Sequence, residues 1–240
     1  MKNLSKTIVL SLFAIIFVGC VGQAQKVKGN GNMIEKTRNV GNFDGIGVAG
    51  SFDVYLVAGD EGKVEIKTES NLEPYLVTEV QGDKLKIRWK KGTNVRTTKK
   101  TTVTVYVEEI DELALAGSGD IVGKSVLKSD DLDVAIAGSG DITIEVETSR
   151  LSAAVSGSGD IQLKGKTGEF DAAVAGSGDI EAYDLICEEA DLKISGSGSI
   201  KSNVSHDLNA RISGSGNIKY KGSPKLEDIK VSGSGNVSTY

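Results

Sequence analysis

Apolar and polar positions alternate along the second half of the chain, in phase with a recurring glycine. Alternation with a period of two predicts β-strands with one buried face. The first and last copies open with Asp111 and Glu227 at the first of these positions. In the five copies between them, the residues six, four and two places before the glycine are all apolar: Leu132, Val134, Ile136; Leu151, Ala153, Val155; Phe170, Ala172, Val174; Ala190, Leu192, Ile194; and Leu208, Ala210, Ile212.

The glycine opens a five-residue motif that occurs seven times. Gly-Ser-Gly-Asp-Ile occupies four stretches, and variants with Ser or Asn in place of Asp occupy three more. Successive copies lie 18 to 21 residues apart, a period typical of stacked structural repeats. The copies are at 117–121, 138–142, 157–161, 176–180, 196–200, 214–218 and 233–237.

This period predicts an all-β fold: a single-stranded, right-handed parallel β-helix (a solenoid) of about 19-residue coils with Gly-Ser-Gly-Asp/Asn-Ile corners. A β-propeller needs about 40 residues per blade, and calcium-binding nonapeptide repeats have about half of the observed period. By parity, both glycines and the isoleucine face inward, while Ser and Asp face outward. Differences in coil length are assigned to a variable loop such as residues 164–169.

The first third of the chain follows the same scheme less regularly. Residues 43–56 form a degenerate copy in which Phe52 replaces the second glycine. Further strands are predicted at 63–68, 84–89 and 102–108, a short helix at 71–79 capped by Asn71, and a basic, Thr-rich hairpin or loop at 90–100. We therefore expect one domain over 27–240, with irregular opening coils (27–115) covering the apolar end of the regular repeats (116–240).

The N-terminus has the pattern of a targeting segment. Lys2 and Lys6 precede an apolar stretch at 8–18, which is too short to span a bilayer well and is typical of a secretory signal. Two processing outcomes remain open. Residues 17–20 resemble a lipobox, with a lipoprotein signal at 1–19 and lipidation at Cys20, and residues 22–24 offer cleavage after Ala24. Both outcomes place the mature protein outside the cytoplasm.

Charge and cysteine content narrow the class of protein. The formal net charge is −5, which would become about −7 without the two signal lysines, so the chain lacks the basic footprint of a nucleic-acid-binding protein. After processing, Cys187 is the one remaining thiol and cannot form an internal disulfide. We interpret it as a small core residue.

The outward columns of the repeats are the candidate binding face. The serine column is unbroken, and the residue before each motif is Ala or Ser. The residue three places before changes from Ala in the earlier coils to Lys193, Arg211 and Lys230 in the later ones. The face is therefore expected to be flat, acidic towards the N-terminal coils and basic towards the C-terminal coils. Its candidate residues are Ser118, Asp120, Ser139, Asp141, Ser158, Asp160, Ser177, Asp179, Asn217 and Asn236.

Four stacked carboxylates repel one another, so the column formed by Asp120, Asp141, Asp160 and Asp179 needs a stabilising partner. One interpretation is that each side chain accepts backbone hydrogen bonds at the bend, as in Asx turns, which fits replacement by Asn and Ser. The alternative is Ca²⁺ held between successive aspartates, although one carboxylate per coil is a thin ligand set.

No catalytic residue is assigned. His206, the single histidine, precedes the sixth motif and lies far in sequence from the earlier serines, so a Ser/His/Asp site is not supported. A lyase or glycosidase needs paired carboxylates or a strong base, together with aromatic platforms for sugar. Trp89 falls in the irregular part of the chain, and Tyr183 and Tyr220 are isolated in sequence.

The block Phe43-x-x-Ile46-x-Val48-x-Gly50-Ser51-Phe52-Asp53-Val54, together with the motif series, resembles the head GIN domain of putative auto-transporter adhesins over residues 28–240. The resemblance implies a β-helical fold akin to pectate-lyase-type helices but without their catalytic residues. It also implies an extracytoplasmic, adhesive role in Bacteroidetes-like bacteria. Residues 21–24 lack the acidic residues typical of surface export in that phylum, which favours the periplasmic side of the outer membrane.

These observations favour a non-enzymatic, extracytoplasmic module for cell adhesion or for envelope or glycan binding, with no cofactor. The expected partner is a glycan or another envelope or host-surface component. A lipid anchor in the membrane and a homodimer are both compatible with the sequence. The alternative is a carbohydrate-active enzyme, a polysaccharide lyase or hydrolase, on the same scaffold.

Overall fold

The computed structural model describes residues 25–240, so the predicted signal segment and Cys20 lie outside the described residues. Within this range, no helix is long and apolar enough to cross a membrane. One 3₁₀ turn at Glu73–Tyr75 accompanies the strands. The strands are β1 (Gln25–Lys28), β2 (Met33–Asn39), β3 (Gly45–Gly50), β4 (Asp53–Ala58), β5 (Lys63–Glu69), β6 (Leu76–Gln81), β7 (Lys84–Trp89), β8 (Thr93–Arg96), β9 (Thr102–Val107), β10 (Glu112–Gly117), β11 (Ile121–Gly138), β12 (Ile142–Gly157), β13 (Ile161–Gly176), β14 (Ile180–Gly196), β15 (Ser199–Gly214), β16 (Asn217–Gly222), β17 (Leu226–Gly233) and β18 (Asn236–Thr239).

The repeats stack as parallel strands in register. Strands β11 to β15 pair successively, and the first glycine of each motif lies beside the first glycine of the next coil. The predicted β-helix of about seven coils with roughly 19-residue spacing is therefore confirmed. Right-handed winding stays a prediction.

Extra residues are taken up by irregularities within the strands. Register shifts occur between Val122 and Val126, between Gln162 and Lys164, and between Glu181 and Ile186. The loop predicted at 164–169 is wrong, because this segment belongs to β13 and pairs with both neighbouring coils. A bulge lets a longer coil keep its pairing on either side of the extra residue.

The interior is a continuous apolar column, as the alternation predicts. The motif isoleucines from Ile121 to Ile218 are 0% exposed, and the residues two and four places before each interior glycine are also buried. Each coil is too thin to bury these side chains alone, so they are covered by the coils above and below.

The predicted degenerate copy is confirmed by its pairing. Strand β3 runs parallel to β10 with Gly50 beside Gly117, and Val54 lies beside Ile121. Phe52, in place of the second glycine, is 1% exposed, and its ring contacts Trp89 edge-on at 5.6 Å between centroids. The aromatic ring thus covers the first regular coil.

Further strands complete this apolar end of the solenoid. Strand β7 continues the sheet beyond β3 and pairs antiparallel with β6, while β9, β5 and β2 continue it beyond β4. The strands predicted at 63–68, 84–89 and 102–108 are confirmed to within one residue. The basic segment at 90–100 contains β8, which pairs with β1.

The helix predicted at 71–79 is wrong. Only Glu73–Tyr75 forms a 3₁₀ turn, and β6 begins at Leu76. The side chain of Asn71 caps no helix; it accepts the N–H of Asn30 and donates to the carbonyl of Lys28. Pairing with the neighbouring strand β7 has overridden the local helix signal.

A buried carboxylate holds two loops of the irregular region together. Glu69 is 0% exposed and accepts the N–H groups of Gly31, Thr98 and Lys99 and the hydroxyl of Thr98, at 2.5–3.3 Å. Burial raises its pKa, but the hydrogen bonds outweigh burial and lower the pKa from 4.5 to about 2.

We expect Glu69 to contribute to acid stability. Because its pKa is lower in the folded chain, its contribution is fully present above pH 4.5 and is lost as the pH falls towards about 2. Glu69→Gln should lower the free energy of unfolding by about 2–3 kcal/mol at pH 7 and flatten the stability profile below pH 4.5. Urea titrations from pH 2 to 7 measure both effects. If the free energy of unfolding falls equally steeply below pH 4.5 in the variant and in the wild type, this role of Glu69 is contradicted.

The second motif glycine should tolerate no side chain. A Cβ on Gly140 would fall on the backbone carbonyl of Gly119 in the preceding coil and 3.1 Å from Leu115. Gly140→Ala should therefore cost about 1–3 kcal/mol or more in thermal or urea unfolding. The control Ser139→Ala, on the exposed neighbour, should cost little. Equal stability of the two variants would contradict the close axial contact.

Candidate binding face

The motif segments are fixed by contacts between coils. In all seven copies the first glycine has a positive φ between 124° and 143°, a region that residues with a Cβ rarely adopt. Its carbonyl in most coils accepts two hydrogen bonds from the next coil; Gly117, for example, accepts the N–H of Ser139 at 2.9 Å and of Gly140 at 3.1 Å. The motif glycines thus allow the backbones of successive coils to pack directly on one another along the solenoid axis.

The predicted parity is confirmed along the motif. The second glycine and the isoleucine are buried in the first six copies and half-buried in the last, while the serines from Ser118 to Ser234 are exposed. The aspartates project from the same segment and are exposed or half-buried. The ten predicted face residues therefore lie together in one outward strip, which we call the motif strip.

Each aspartate in the strip accepts a backbone hydrogen bond. Oδ1 of Asp120, Asp141 and Asp160 accepts the N–H of the aspartate one coil further on, at 3.2, 2.9 and 2.8 Å. Asp179 likewise accepts the N–H of Ser199 at 2.7 Å. The interpretation that the side chains accept backbone hydrogen bonds is confirmed, but the donor belongs to the next coil and not to the aspartate's own turn.

Coils that lack the aspartate use a different bond at this point. The N–H groups of Asn217 and Asn236 donate to the carbonyls of Gly198 and Gly216 at 3.2 and 3.3 Å. Across residues 25–240, no group of three His, Cys, Asp or Glu side chains is placed to hold a metal ion. Calcium held between two successive aspartates stays a prediction.

The hydrogen bonds from each aspartate to the next coil predict that two substitutions at Asp160 differ in their effect on stability. Asp160→Asn keeps an oxygen acceptor for the N–H of Asp179, so its stability should stay close to that of the wild type. Asp160→Ala removes the acceptor and should cost about 1–2 kcal/mol in urea unfolding at pH 7. Equal losses for the two variants would show that the charge, and not the hydrogen bond, matters at this position.

A second outward surface lies on the strand that precedes each motif, and we call it the alanine face. It consists of the residues one and three places before the first glycine, from Gly47 and Ala49 on β3 to Lys230 and Ser232 on β17. Its floor is a shallow groove of about 960 Å³, bordered by Lys86 and Arg88 at one end. At about 4.8 Å per strand, its eight rows span about 34 Å.

The sequence grouped the alanine face with the motif strip as one flat surface, whereas the structure separates them. None of the ten predicted residues lines the groove, because the chain bends at each motif serine. Counting residues gives the direction of each side chain within a strand. It does not give the angle between strands across a bend.

The basic end of the alanine face is partly neutralised by two aspartates on its border. Lys193 lies 2.9 Å from Asp191, Lys230 lies 3.1 Å from Asp228, and Arg211 lies between these two aspartates at 3.8 and 3.4 Å. These pairs are partly exposed and contribute little to stability. The two aspartates nevertheless offset two of the three positive charges that the sequence predicts there.

Among residues 25–240, Cys187 and His206 are not hydrogen-bonded to each other, because the Cys187 thiol contacts Ser202 and the carbonyl of Asn203. Cys187 is 0% exposed, and burial raises its pKa to about 11, so it is an inert core residue, as predicted. Nδ1 of His206 lies 3.4 Å from the hydroxyl of the adjacent Ser205, and that hydroxyl donates to the carbonyl of Cys187 at 3.1 Å. Neither residue forms part of the motif strip.

The sequence did not predict one aromatic cluster that the structure forms near the end of the chain. Tyr183, the extra residue at the bulge in β14, stacks edge-on with Tyr240 at 5.0 Å between centroids. The Lys221 ammonium lies 4.5 and 5.0 Å from the two rings. The tyrosines are far apart in sequence, so only the stacking of the coils could reveal the pair.

The chain matches a family model described as "putative auto-transporter adhesin, head GIN domain" over residues 42–224. A structure of a putative adhesin from Bacteroides fragilis is similar with a TM-score of 0.84 and 25% identity, covering 89% of this chain and 100% of that one. A structure from Parabacteroides distasonis, described as a putative lipid binding protein, gives 0.76 and 28%, covering 90% and 100%. A putative adhesin from Parabacteroides merdae gives 0.71 and 27%, covering 90% and 100%. No curated protein matches.

Proposed function

Because the chain belongs to the head GIN domain family of putative auto-transporter adhesins, we propose that it is a non-enzymatic, extracytoplasmic module that binds a glycan or another component of a cell envelope. The similar structures are described as adhesins or as a lipid binding protein, and none of these descriptions names an enzyme. Anchoring through Cys20 is part of the proposal.

The observation that carries this proposal is the alanine face. Its first five strands expose only small side chains, and in the last three strands Lys193, Arg211 and Lys230 alternate with serines and pair with Asp191 and Asp228. An exposed apolar groove of this extent is typical of a binding surface. Its repeat along the solenoid axis suits an extended ligand such as a polysaccharide, which can lie across many equivalent coils.

The motif strip is a weaker candidate for the contact surface. Oδ1 of Asp120, Asp141, Asp160 and Asp179 already accepts a backbone N–H from the next coil. A ligand donor would therefore compete with the bonds that join the coils. We propose that the strip borders the contact surface and that the alanine face carries it.

An anionic amphiphile is a second candidate ligand. The groove floor is built from alanines in its middle coils and ends at basic residues, and one similar structure is described as a putative lipid binding protein. An acyl chain could lie along the floor with its head group near Lys86 or Arg88. The carbohydrate-active alternative lacks such an observation, because the charged residues that break the repeat, Lys193, Arg211 and Lys230, lie in the last three coils and form ion pairs with Asp191 and Asp228.

A screen of envelope polysaccharides and anionic lipid vesicles tests the proposal. The chain from Gln25 onward should bind at least one class, and Ala154→Glu with Ala173→Glu should reduce that binding at least tenfold by placing charge on the groove floor. The matched control Asp141→Asn with Asp160→Asn and Asp179→Asn should bind like the wild type, since each asparagine keeps a side-chain oxygen that accepts the backbone N–H of the next coil.

The same samples test the enzyme alternative. No polysaccharide should be shortened, as measured by released reducing ends and unsaturated products. Degradation that a single Asp→Asn change abolishes would contradict the proposal. Loss of binding in the motif variant, with binding retained in the groove variant, would move the contact surface to the motif strip.

A further inference from the structure

The two ends of the described solenoid differ in how their apolar interior is covered. At the N-terminal end, Phe43, Phe52, Leu72 and Leu76 are at most 2% exposed, beneath the irregular strands. At the other end, the last coil leaves Ile229 40% and Val231 42% exposed. The equivalent residues of interior coils are at most 3% exposed, because a further coil packs on them.

The outer edge of the last coil also lacks a backbone partner among residues 25–240. Strand β17 pairs with β15 on one side only, in register from Leu226 beside Asp207 to Gly233 beside Gly214. An edge strand with unpaired N–H and C=O groups and exposed apolar side chains is a template for another strand. The unpaired backbone edge and the exposed core side chains therefore lie on the same strand, β17.

We propose that two copies of this chain associate end to end, with β17 of one copy pairing antiparallel to β17 of the other. A two-fold axis perpendicular to the solenoid brings identical edges together in opposite directions. Each copy then covers the exposed Ile229 and Val231 of the other. Since only one end of the described solenoid is open, the association closes at two copies and does not extend into a filament.

The charges along β17 select the register. Centring the pair on Ile229 places Asp228 opposite Lys230 of the second copy, and Lys230 opposite its Asp228. A register centred on Asp228 or on Lys230 would bring like charges together, which is unfavourable in an antiparallel pair. Within one copy, Asp228 already lies 3.1 Å from Lys230 and 3.4 Å from Arg211, so the dimer would extend an existing network.

Glu227 is the acidic residue that this arrangement must accommodate. It occupies a core-facing position, and its carboxylate accepts the hydroxyl of Tyr220 at 2.9 Å. In the Ile229-centred register, Glu227 lies opposite Val231 of the second copy, and the two Glu227 residues are four positions apart, about 14 Å along the strands. Both carboxylates therefore lie towards the ends of the paired segment, where solvent can reach them.

Cross-linking tests the register directly. In the chain from Gln25 onward, which contains every described strand, Ile229→Cys lies on the two-fold axis and should form a disulfide-linked dimer under mild oxidation. Leu226→Cys is a matched control on the same strand, 66% exposed, whose two copies would lie about 20 Å apart. It should stay unlinked. Equal cross-linking of both variants would overturn the register.

Sedimentation at increasing concentration tests the association itself. The wild type should reach a dimer at micromolar to 100 μM concentrations, Lys230→Glu should weaken it at least tenfold, and the double exchange Asp228→Lys with Lys230→Glu should restore it. Circular dichroism of each variant checks folding. A wild type that stays monomeric at every concentration, or a dimer that Lys230→Glu does not weaken, would overturn the proposal.

Discussion

The structure depends on the close approach of backbone to backbone at the glycine columns. Each coil places its two motif glycines against those of the preceding coil, and a side chain at either place would meet a main-chain carbonyl. Because the same contact recurs at every coil, the coils must stay in register at the motif. The register shifts between Val122 and Val126 and between Gln162 and Lys164 begin just after a motif and leave its five residues in register.

This constraint also shapes the outer surface. Once the motif is fixed, the strand before it must present its outward residues in straight columns, which gives the alanine face its continuous floor. The aspartates after the bend supply acceptors where the strand ladder is interrupted. A wall built in this way has equivalent coils, so it suits contact with an extended partner better than catalysis, which needs a few residues that differ from their neighbours.

Much of the fold follows from the sequence because the repeat is nearly exact in its spacing and parity. The period, the buried columns and the degenerate copy around Phe52 need no knowledge of distant contacts. The helix predicted at 71–79 fails because pairing with β7 decides that segment. The donor of each Asp bond, the separation of the alanine face and the Tyr183–Tyr240 pair depend on which atoms stacking brings together. Local sequence carries no signal for such contacts.

Amide hydrogen exchange at the motif is the most direct measurement of the central claim that inter-coil contacts fix this segment. The N–H groups of Asp160, Asp179 and Gly159 donate to the preceding coil at 2.8–3.2 Å. They should be protected to an extent comparable with strand amides such as that of Val155, although the motif lies between strands. Exchange at the rate of an open loop would contradict the account and would leave the motif free to serve a ligand.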